Sequence, residues 1–308
     1  MNLSNLKKPK VTVGLPVYNG GQFIGDRLES LLLQTFTDFE LIISDNASTD
    51  STSEICREFE KKDKRVRYFH HDENRGLFWN FNFLLKEAKT EYFVWAAVDD
   101  VWSQNFLEKN IYVLENNKKV VGSIGEYKLY NMVKDPSTYK TKIKVLENSK
   151  KFQYVHPIYG NVGSKIRFCL NYNMGGPIYG VYRTDKLQKS NTFEHYKNNR
   201  MWRTDLAYIL NVIREGDFEV VNNAFMYKHV SEKSTSVIQY MKKLNFSELE
   251  IAFIQVPFTI WCFRNLGSRE FLKNFGYFVK LNLRGEYAII AELLRMCKRI
   301  VYKQEKYW

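Results

Sequence analysis

The stretch Tyr92–Trp102 reads YFVWAAVDDVW and indicates the kind of fold that this chain adopts. Its aromatic and β-branched residues are typical of a buried strand. Two adjacent carboxylates, Asp99 and Asp100, follow where that strand should end. Like charges this close disfavour each other unless a cation or donors compensate, and Mg²⁺ or Mn²⁺ commonly takes one or two carboxylates together with substrate phosphates. A simple polar turn is the alternative interpretation of the pair.

The residues before this stretch alternate between strand and helix patterns. Four apolar runs predict strands at residues 11–16, 39–44, 66–70 and 92–97. Apolar residues at helical spacing predict a helix in each interval, and Ser51 with Glu54 has the spacing of a capping box for the second helix. This alternation predicts an α/β fold with a mainly parallel sheet.

Chemically active side chains follow several of these predicted strands. Tyr18, Asp45, Asp99 and Asp100 each come directly after one, and ligands of parallel sheets bind beyond the carboxyl ends of the strands. No GxGxxG follows the first strand and no GxxxxGK[ST] occurs, which argues against a dinucleotide site and a P-loop.

Composition narrows the class of protein further. The 308 residues carry a formal charge of +12, which attracts nucleotides, nucleic acid, phospholipid or anionic glycans without choosing among them. The four cysteines lie far apart, which favours neither structural zinc nor a disulfide framework. The basic start lacks the apolar core of a signal peptide, and the apolar run at 251–263 is too short to span a bilayer. We expect a cytoplasmic protein, either free or peripheral on the inner face of the membrane.

Four segments in order resemble the motifs of family 2 glycosyltransferases, which are inverting enzymes of the GT-A fold. They are VGLPVYN at 13–19, DNASTD at 45–50, NRG at 74–76 and AVDD at 97–100. The resemblance covers roughly residues 9–235. It implies the nucleotide-diphospho-sugar transferase fold, with a mainly parallel central sheet flanked by helices, to which a helical C-terminal appendage is added.

The resemblance also implies how a nucleotide-diphosphate sugar would bind. Tyr18 would lie near the base, Asp45 would hydrogen-bond it, typically as uracil, and Arg75 would lie near the base or the phosphates. The carboxylate pair would cover the DxD region of the family, although Ala97 stands where many members have the first Asp. The complete set of expected nucleotide-sugar-binding residues is Pro16, Tyr18, Asn19, Asp45, Asn46, Arg75, Asp99 and Asp100.

Further residues match the family's catalytic and metal-binding positions. Asp205, in the first turn of a predicted helix, would be the general base, although an acid there also balances a helix dipole. Divalent metal, Mn²⁺ or Mg²⁺, would be held by Asp99, Asp100 and His229. Gly175 and Gly176 precede a predicted strand at 178–182, where they permit close approach of a ligand or form a tight turn.

The expected organisation is a catalytic domain at 1–238 followed by a helical region at 239–308. The domain divides into a nucleotide-sugar-binding half, 9–131, and an acceptor-binding half, 132–238. The polar segment from about 134 to 151 predicts a loop, with the role of a lid as one interpretation. Residues 240–308 contain twelve Lys/Arg and six Asp/Glu, and 12 − 6 = +6. Basic amphipathic helices bind anionic membranes, and packing on the domain or a homodimer contact are the alternatives.

The resulting hypothesis is a metal-assisted inverting glycosyltransferase with Asp205 as base. It would move a sugar from a nucleotide-diphosphate donor, UDP-linked in the first instance, to a hydroxyl of a glycan or lipid-linked saccharide. The alternatives are a sugar nucleotidyltransferase and a catalytically silent nucleotide- or carbohydrate-binding scaffold. No recognised motif supports a nucleic acid partner.

Overall fold

The computed structural model describes residues 8–134, 141–145, 155–172, 175–192, 203–229, 238, 241–242 and 246–304. Within these ranges the strands are Val11–Val17 (β1), Phe39–Asp45 (β2), Val66–His70 (β3), Tyr92–Trp95 (β4), Asp100–Trp102 (β5), Val120–Lys134 (β6), Thr141–Val145 (β7), Val181–Arg183 (β8) and Asp217–His229 (β9). The α-helices there are Ile24–Leu32 (α1), Thr52–Lys62 (α2), Leu77–Glu87 (α3), Phe106–Asn116 (α4), Val162–Tyr172 (α5), Thr184–Lys189 (α6), Thr204–Val212 (α7), Glu248–Ala252 (α8), Val256–Asn265 (α9), Ser268–Lys273 (α10) and Phe275–Gln304 (α11).

A single sheet organises the described part of the chain, in the order β3-β2-β1-β4-β8-β6-β9-β5, with β7 paired to β6. The first four strands, β1 to β4, are mutually parallel. The interiors of β1, β2 and β4 are almost continuously buried, as in sheets covered by helices on both faces, whereas only Val66 is buried in β3. Val17 pairs with Asp45, so the loops after β1 and β2 begin side by side. The parallel α/β half of the fold is confirmed.

Beyond β4 the sheet becomes mixed. β8 is antiparallel to both β4 and β6, and β5 is antiparallel to β9. The β5–β9 pairing brings residues that are far apart in sequence to the edge where β4 ends.

Several local predictions need correction. Ser51 makes no side-chain capping bond; instead Asp50 Oδ1 accepts from the backbone N–H of Thr52 at 3.1 Å, so the capping-box prediction is wrong. Residues 178–182 do not form one strand, because a 3₁₀ helix at Gly176–Tyr179 precedes the short β8. The predicted loop at 134–151 contains β7, while residues 135–140 and 146–151 lie outside the described residues.

The C-terminal helices pack on the part of the molecule that contains the sheet. Phe258, Trp261, Phe271 and Phe278 belong to the same hydrophobic core as the strands. Burial of these aromatic side chains stabilises α9, α10 and α11, whose sequences are only moderately apolar overall. In the part of the chain that the structure describes, no helix combines the length and apolar content that a bilayer span requires.

Candidate active site

The loops that follow β1 and β2 are fastened to each other. Asn19 has φ 51° and Ala47 has φ 64°, so each loop turns through a left-handed residue. The backbone N–H of Asn19 donates to Ser48 Oγ at 2.8 Å, and the N–H of Thr49 donates to Asn19 Oδ1 at 2.8 Å. Asn19 therefore joins the two loops at the carboxyl edge of the sheet.

Asp45 ends β2 in a network of donors and is fully buried. Its carboxylate accepts from the N–H of Ser48 at 2.9 Å, from Ser53 Oγ at 2.9 Å and from the hydroxyl of Tyr68 at 2.7 Å. Burial raises the pKa of Asp45, but the hydrogen bonds from Ser48, Tyr68 and Ser53 outweigh it and the net pKa is lowered. In this structure the ionised carboxylate shapes the loop that follows β2.

Asn46 connects that loop to the turn before α3. Its Oδ1 accepts from the N–H of Arg75 at 3.0 Å, and its Nδ2 donates to Asn74 Oδ1 at 2.8 Å. The guanidinium of Arg75 is exposed, lies 4.9 Å from the Trp79 ring and bonds to a neighbouring glutamate. Arg75 is thus placed beside the β2 loop by its backbone, while its charge remains accessible to a ligand.

Two further predicted residues lie at the end of β1. Pro16 is partly buried within the strand, and Tyr18 follows it with 51% of its surface exposed. An exposed aromatic ring beside the β2 loop is suited to stack on a planar ligand.

Asp99 and Asp100 have opposite environments. Asp99 is exposed, and its carboxylate has no hydrogen bond or ion pair with any other described residue. Asp100 is buried and pairs with the ammonium group of Lys228 on β9. Burial raises the pKa of Asp100, Lys228 opposes that rise and Asp99 adds to it. The structure therefore separates an accessible carboxylate from one that is already engaged.

A buried cation lies beneath this carboxylate turn. Arg27 of α1 is 1% exposed; its Nε donates to the carbonyl of Val98 at 3.1 Å, and one terminal nitrogen to the hydroxyl of Tyr130 at 3.4 Å. Tyr130 in turn donates to the backbone carbonyl of Asp99 at 2.8 Å. Sequence reasoning missed Arg27, although its place with Ile24 on the apolar face of α1 is an available signal.

His229 lies at the end of β9, next to the residue that pairs with Asp100. Its ring centroid is 5.8 Å from that of Phe23 and 5.4 Å from that of Tyr130. Among the described residues, no three His, Cys, Asp or Glu side chains stand close enough to form a metal site by themselves. Asp99 and Asp100 are adjacent in sequence, and His229 is paired with Tyr130 across β9 and β6, so the three expected ligands do not form a ready-made metal site among the described residues.

Asp205 occupies the first turn of α7 and packs against the backbone of Gly175. A Cβ atom at Gly175 would overlap Oδ2 of Asp205, so a larger residue there would displace the carboxylate. Oδ1 accepts from the N–H of Leu206 at 2.8 Å. Burial raises the pKa of Asp205, while the Leu206 hydrogen bond and the charge of Arg203 oppose the rise. The close approach expected at this glycine is therefore made by a side chain of the protein itself.

Tyr127 of β6 connects Asp205 to the carboxylate turn. Its buried hydroxyl donates to the carbonyl of Gly176 at 2.6 Å, and the charges of Asp100 and Asp205 both raise its pKa further after burial. Lys228 also lies 4.0 Å from the ring of Tyr179 in the same 3₁₀ helix. These contacts link Asp205 and Asp100 through the 3₁₀ helix at Gly176–Tyr179, whereas Asp45 ends β2, which β1 separates from β4 in the sheet.

Comparison with known proteins identifies the family of this chain. The sequence profile of Glycosyl transferase family 2 matches residues 12–172, just over half of the 308 residues, and the chain belongs to that family. The glycosyltransferase GlyG of Streptococcus pneumoniae serotype 4 is 33% identical over 121 residues, which is 39% of this chain and 40% of GlyG. TuaG of Bacillus subtilis is 36% identical over 104 residues, which is 34% of this chain and 41% of TuaG. The matches thus span about two fifths of the length of these relatives.

Solved structures share the fold at low identity. The mannosyltransferase PcManGT from Pyrobaculum calidifontis, in complex with GDP-Man and Mn²⁺, is 15% identical with a TM-score of 0.58, over 95% of this chain and 76% of that one. S. aureus TarS in complex with UDP-GlcNAc is 17% identical with a TM-score of 0.52, over 91% of this chain and 81% of that one. The predicted GT-A fold is confirmed.

Proposed function

We propose that this chain transfers a sugar from a nucleoside-diphosphate donor, taken as UDP-linked, to an acceptor hydroxyl with inversion of the anomeric centre. The observation that carries the proposal is a series of contacts between the two acids: Asp100 pairs with Lys228, whose ammonium group lies 4.0 Å from the ring of Tyr179 in the 3₁₀ helix. Gly175, directly before that helix, packs against Asp205. This arrangement joins the carboxylate turn, where a diphosphate would lie, to a half-buried acid that can receive a proton. Family membership supports a nucleotide-sugar donor.

The nucleotide would bind across the loops that follow β1 and β2. Tyr18 offers an exposed ring for the base and Arg75 an exposed positive charge for the phosphates. Pro16, Asn19 and Asn46 hold the surrounding loops in shape. Asp45 would accept a hydrogen bond from the base through its carboxylate. The base would then replace one of the protein donors that now bond to this carboxylate.

Asp205 would act as the general base. Because burial raises the pKa of its carboxyl group, Asp205 is a stronger base than an exposed aspartate. It would take the proton of the acceptor hydroxyl as that oxygen attacks the anomeric carbon from the face opposite the leaving diphosphate. A single displacement inverts the centre, so an α-linked donor of a common hexose would yield a β-linked product.

The donor set suits Mn²⁺ or Mg²⁺ shared between protein and substrate. These ions need only one or two carboxylates when substrate phosphates complete their coordination. Asp99 supplies an exposed carboxylate that no other residue of the described ranges engages, whereas Asp100 could ligate only by releasing Lys228. His229 would be the third candidate ligand. A metal bound there would offset the charge that builds on the departing diphosphate.

The acceptor is proposed to be a glycan or a lipid-linked saccharide. TuaG, one of the relatives, is named for teichuronic acid biosynthesis, which supports a saccharide acceptor of this kind. We retain 1–238 as the catalytic domain and 239–308 as a helical region packed on it.

We further propose that α11 attaches the protein to an anionic membrane on its cytoplasmic face. One face of α11 is buried in the molecule through Phe278, Leu281 and Ile289. The opposite face exposes a second apolar row, in which Leu283 is 61% and Tyr287 is 74% exposed. Packing on the domain accounts for the first row but not for the second.

Positive charge accompanies this second row. Lys280 and Arg284 line one surface groove together with Val279, Leu283 and Tyr287. Apolar side chains beside lysine and arginine match the headgroup region of an anionic bilayer. A second copy of this chain would instead oppose two basic surfaces, which disfavours a homodimer through this face.

Incubation with UDP- and GDP-sugars, Mn²⁺ and a panel of saccharide acceptors tests the transferase proposal. Release of nucleoside diphosphate with formation of a glycoside is expected. Asp205→Asn should lower the transfer rate by about 10²–10⁴-fold with UDP binding retained. Unchanged transfer by the variant would remove Asp205 from the mechanism. Pyrophosphate release would indicate a nucleotidyltransferase, and binding without turnover would indicate a scaffold.

A further inference from the structure

The residue that precedes α7 is held in an uncommon conformation. Arg203 has φ 71°, in the left-handed region that residues other than glycine rarely occupy. Such a conformation persists only where the surroundings hold it, and at functional sites it often serves to aim a neighbouring group. Asp205 lies two residues further on, in the first turn of the helix.

Arg203 is held by a residue of the C-terminal region. Its Nε donates to Oε1 of Gln255 at 2.6 Å, and Gln255 is only 3% exposed. Gln255 is the residue before α9, and its backbone carbonyl accepts from the N–H of Thr259 at 3.0 Å. The side chain that orients Arg203 is therefore itself part of the start of a helix.

The long helix α11 closes the other side of Gln255. A Cβ atom at Gly285 would lie 2.5 Å from Cγ of Gln255, closer than unbonded carbons approach. A larger residue at Gly285 would push the glutamine away from its place. Gly285, Gln255 and Arg203 thus form a direct line of contacts from α11 to the backbone that carries Asp205.

We propose that Gln255 is a positioning residue for Asp205, acting through Arg203, so that the C-terminal helices take part in placing the general base. This inference rests on the proposed role of Asp205. It assigns to 239–308 a function in the reaction in addition to any role in attachment.

The charge of Arg203 gives the link a second effect. The N–H of Leu206, the charge of Arg203 and the backbone N–H of Asp205 itself oppose the rise that burial gives the pKa of Asp205, and Asp205 in turn raises the pKa of Tyr127. The charge of Arg203 favours the ionised form of Asp205, whereas burial disfavours it. By accepting a hydrogen bond from Arg203, Gln255 holds the guanidinium in place. Loss of Gln255 should therefore disturb both the direction and the protonation of the base.

Two pairs of variants test the proposal. Gln255→Leu removes the acceptor of Arg203. Its control, Asn282→Leu, removes a nearby bond that does not involve Arg203, the 2.7 Å bond from Asn282 Nδ2 on α11 to Thr259 Oγ1 on α9. Gly285→Ala adds a methyl group against Gln255. Its control, Gly276→Ala, makes the same change on the same helix, where no heavy atom lies within 4 Å.

We expect Gln255→Leu and Gly285→Ala to lower kcat for nucleoside diphosphate release by about 10–100-fold, the effect of a small misplacement of a catalytic group. Calorimetric UDP binding should stay within about twofold of the wild type, because the nucleotide loops are not touched. Both controls should keep kcat. The acidic limb of the kcat profile should move to higher pH in Gln255→Leu, and Gln255→Glu, which retains the acceptor oxygen, should recover kcat at pH 8.

Equal losses of kcat in Gln255→Leu and Asn282→Leu would overturn the inference and reduce Gln255 to a packing residue. So would a fall in kcat with no movement of the pH profile and no recovery in Gln255→Glu. If Gln255→Leu does not fold, Gly285→Ala against Gly276→Ala decides the question. Asp205→Asn in the same assay separates the two proposals. If this variant still transfers sugar, the role of Asp205 as general base is refuted, whereas the contact between Gln255 and Arg203 is not.

Discussion

Lys228 of β9 and Asp100 of β5 are paired across antiparallel strands, and the ammonium group of Lys228 donates to Oδ2 of the carboxylate. The pair stabilises a buried charge that would otherwise be costly beside Asp99. It also distinguishes two carboxylates that are adjacent in sequence. Asp100 is engaged within the protein, and Asp99 remains accessible to a ligand.

The first prediction concerns the stability of this pair. Lys228→Met should lower the free energy of unfolding by about 1–3 kcal/mol or more, because it leaves a buried carboxylate without its donor. Lys189→Met is the control: Lys189 is 67% exposed and pairs with Glu215 at 2.9 Å, and exposed pairs contribute only about 0–1 kcal/mol. Chemical denaturation measures both, and equal effects would mean that burial of Asp100 does not matter.

The second prediction concerns metal dependence. After chelation, added Mn²⁺ should strengthen UDP binding to the wild type and have little effect on Asp99→Asn, which lacks the exposed carboxylate. Asp26→Asn, at an exposed acid on α1, should respond as the wild type does. Calorimetric titration of UDP with and without Mn²⁺ measures the difference. An undiminished response in Asp99→Asn would argue against Asp99 as a ligand.

The third prediction concerns pH and Asp45. Hydrogen bonds lower the pKa of Asp45, so its contribution to stability is present above its ordinary value of 3.8 and is lost as pH falls through the folded value. Tyr68→Phe should cost about 1.5–3 kcal/mol near neutral pH, since it removes a hydrogen bond to a charged group. The cost should shrink below pH 3.8 as the carboxylate becomes protonated.

Unfolding midpoints across pH test this, with Tyr112→Phe as the control at a 65% exposed tyrosine. A cost that does not depend on pH would show that Tyr68 contributes through packing and not through the carboxylate.

The fourth prediction concerns the membrane. The wild type should co-sediment with vesicles containing phosphatidylglycerol and much less with phosphatidylcholine alone. The double variant Leu283→Glu, Tyr287→Glu should weaken binding by at least about tenfold, because burial of each apolar side chain in the bilayer contributes about 1.5–3 kcal/mol to the free energy of binding. Leu249→Glu, at a 72% exposed position on α8, is the control. Concentration-dependent dimerisation that the double variant abolishes, with no vesicle binding, would indicate a homodimer face instead.

The N-terminal half could be predicted largely from sequence because its signals are local. β1, β2 and β4 are compact apolar runs with turn residues after them, and each intervening helix has local signals of its own. Asp45 ends β2 and Asp99 lies four residues beyond the end of β4, so a parallel sheet brings them to one edge. The errors there are equally local: Asp50 competes with Ser51 for the first N–H groups of α2, and both residue types cap helices well.

The sequence by itself determined the family, the parallel half of the sheet and the identity of the candidate acids. Only the tertiary structure decided which carboxylate forms an ion pair with Lys228, that Arg27 is buried beneath the turn, and that Asp205 packs against Gly175. It alone showed that Gln255 contacts both Gly285 and Arg203, the residue two positions before Asp205. These relationships join residues on separate elements, and hydrophobic periodicity specifies which face of an element is buried but not which distant side chain it meets.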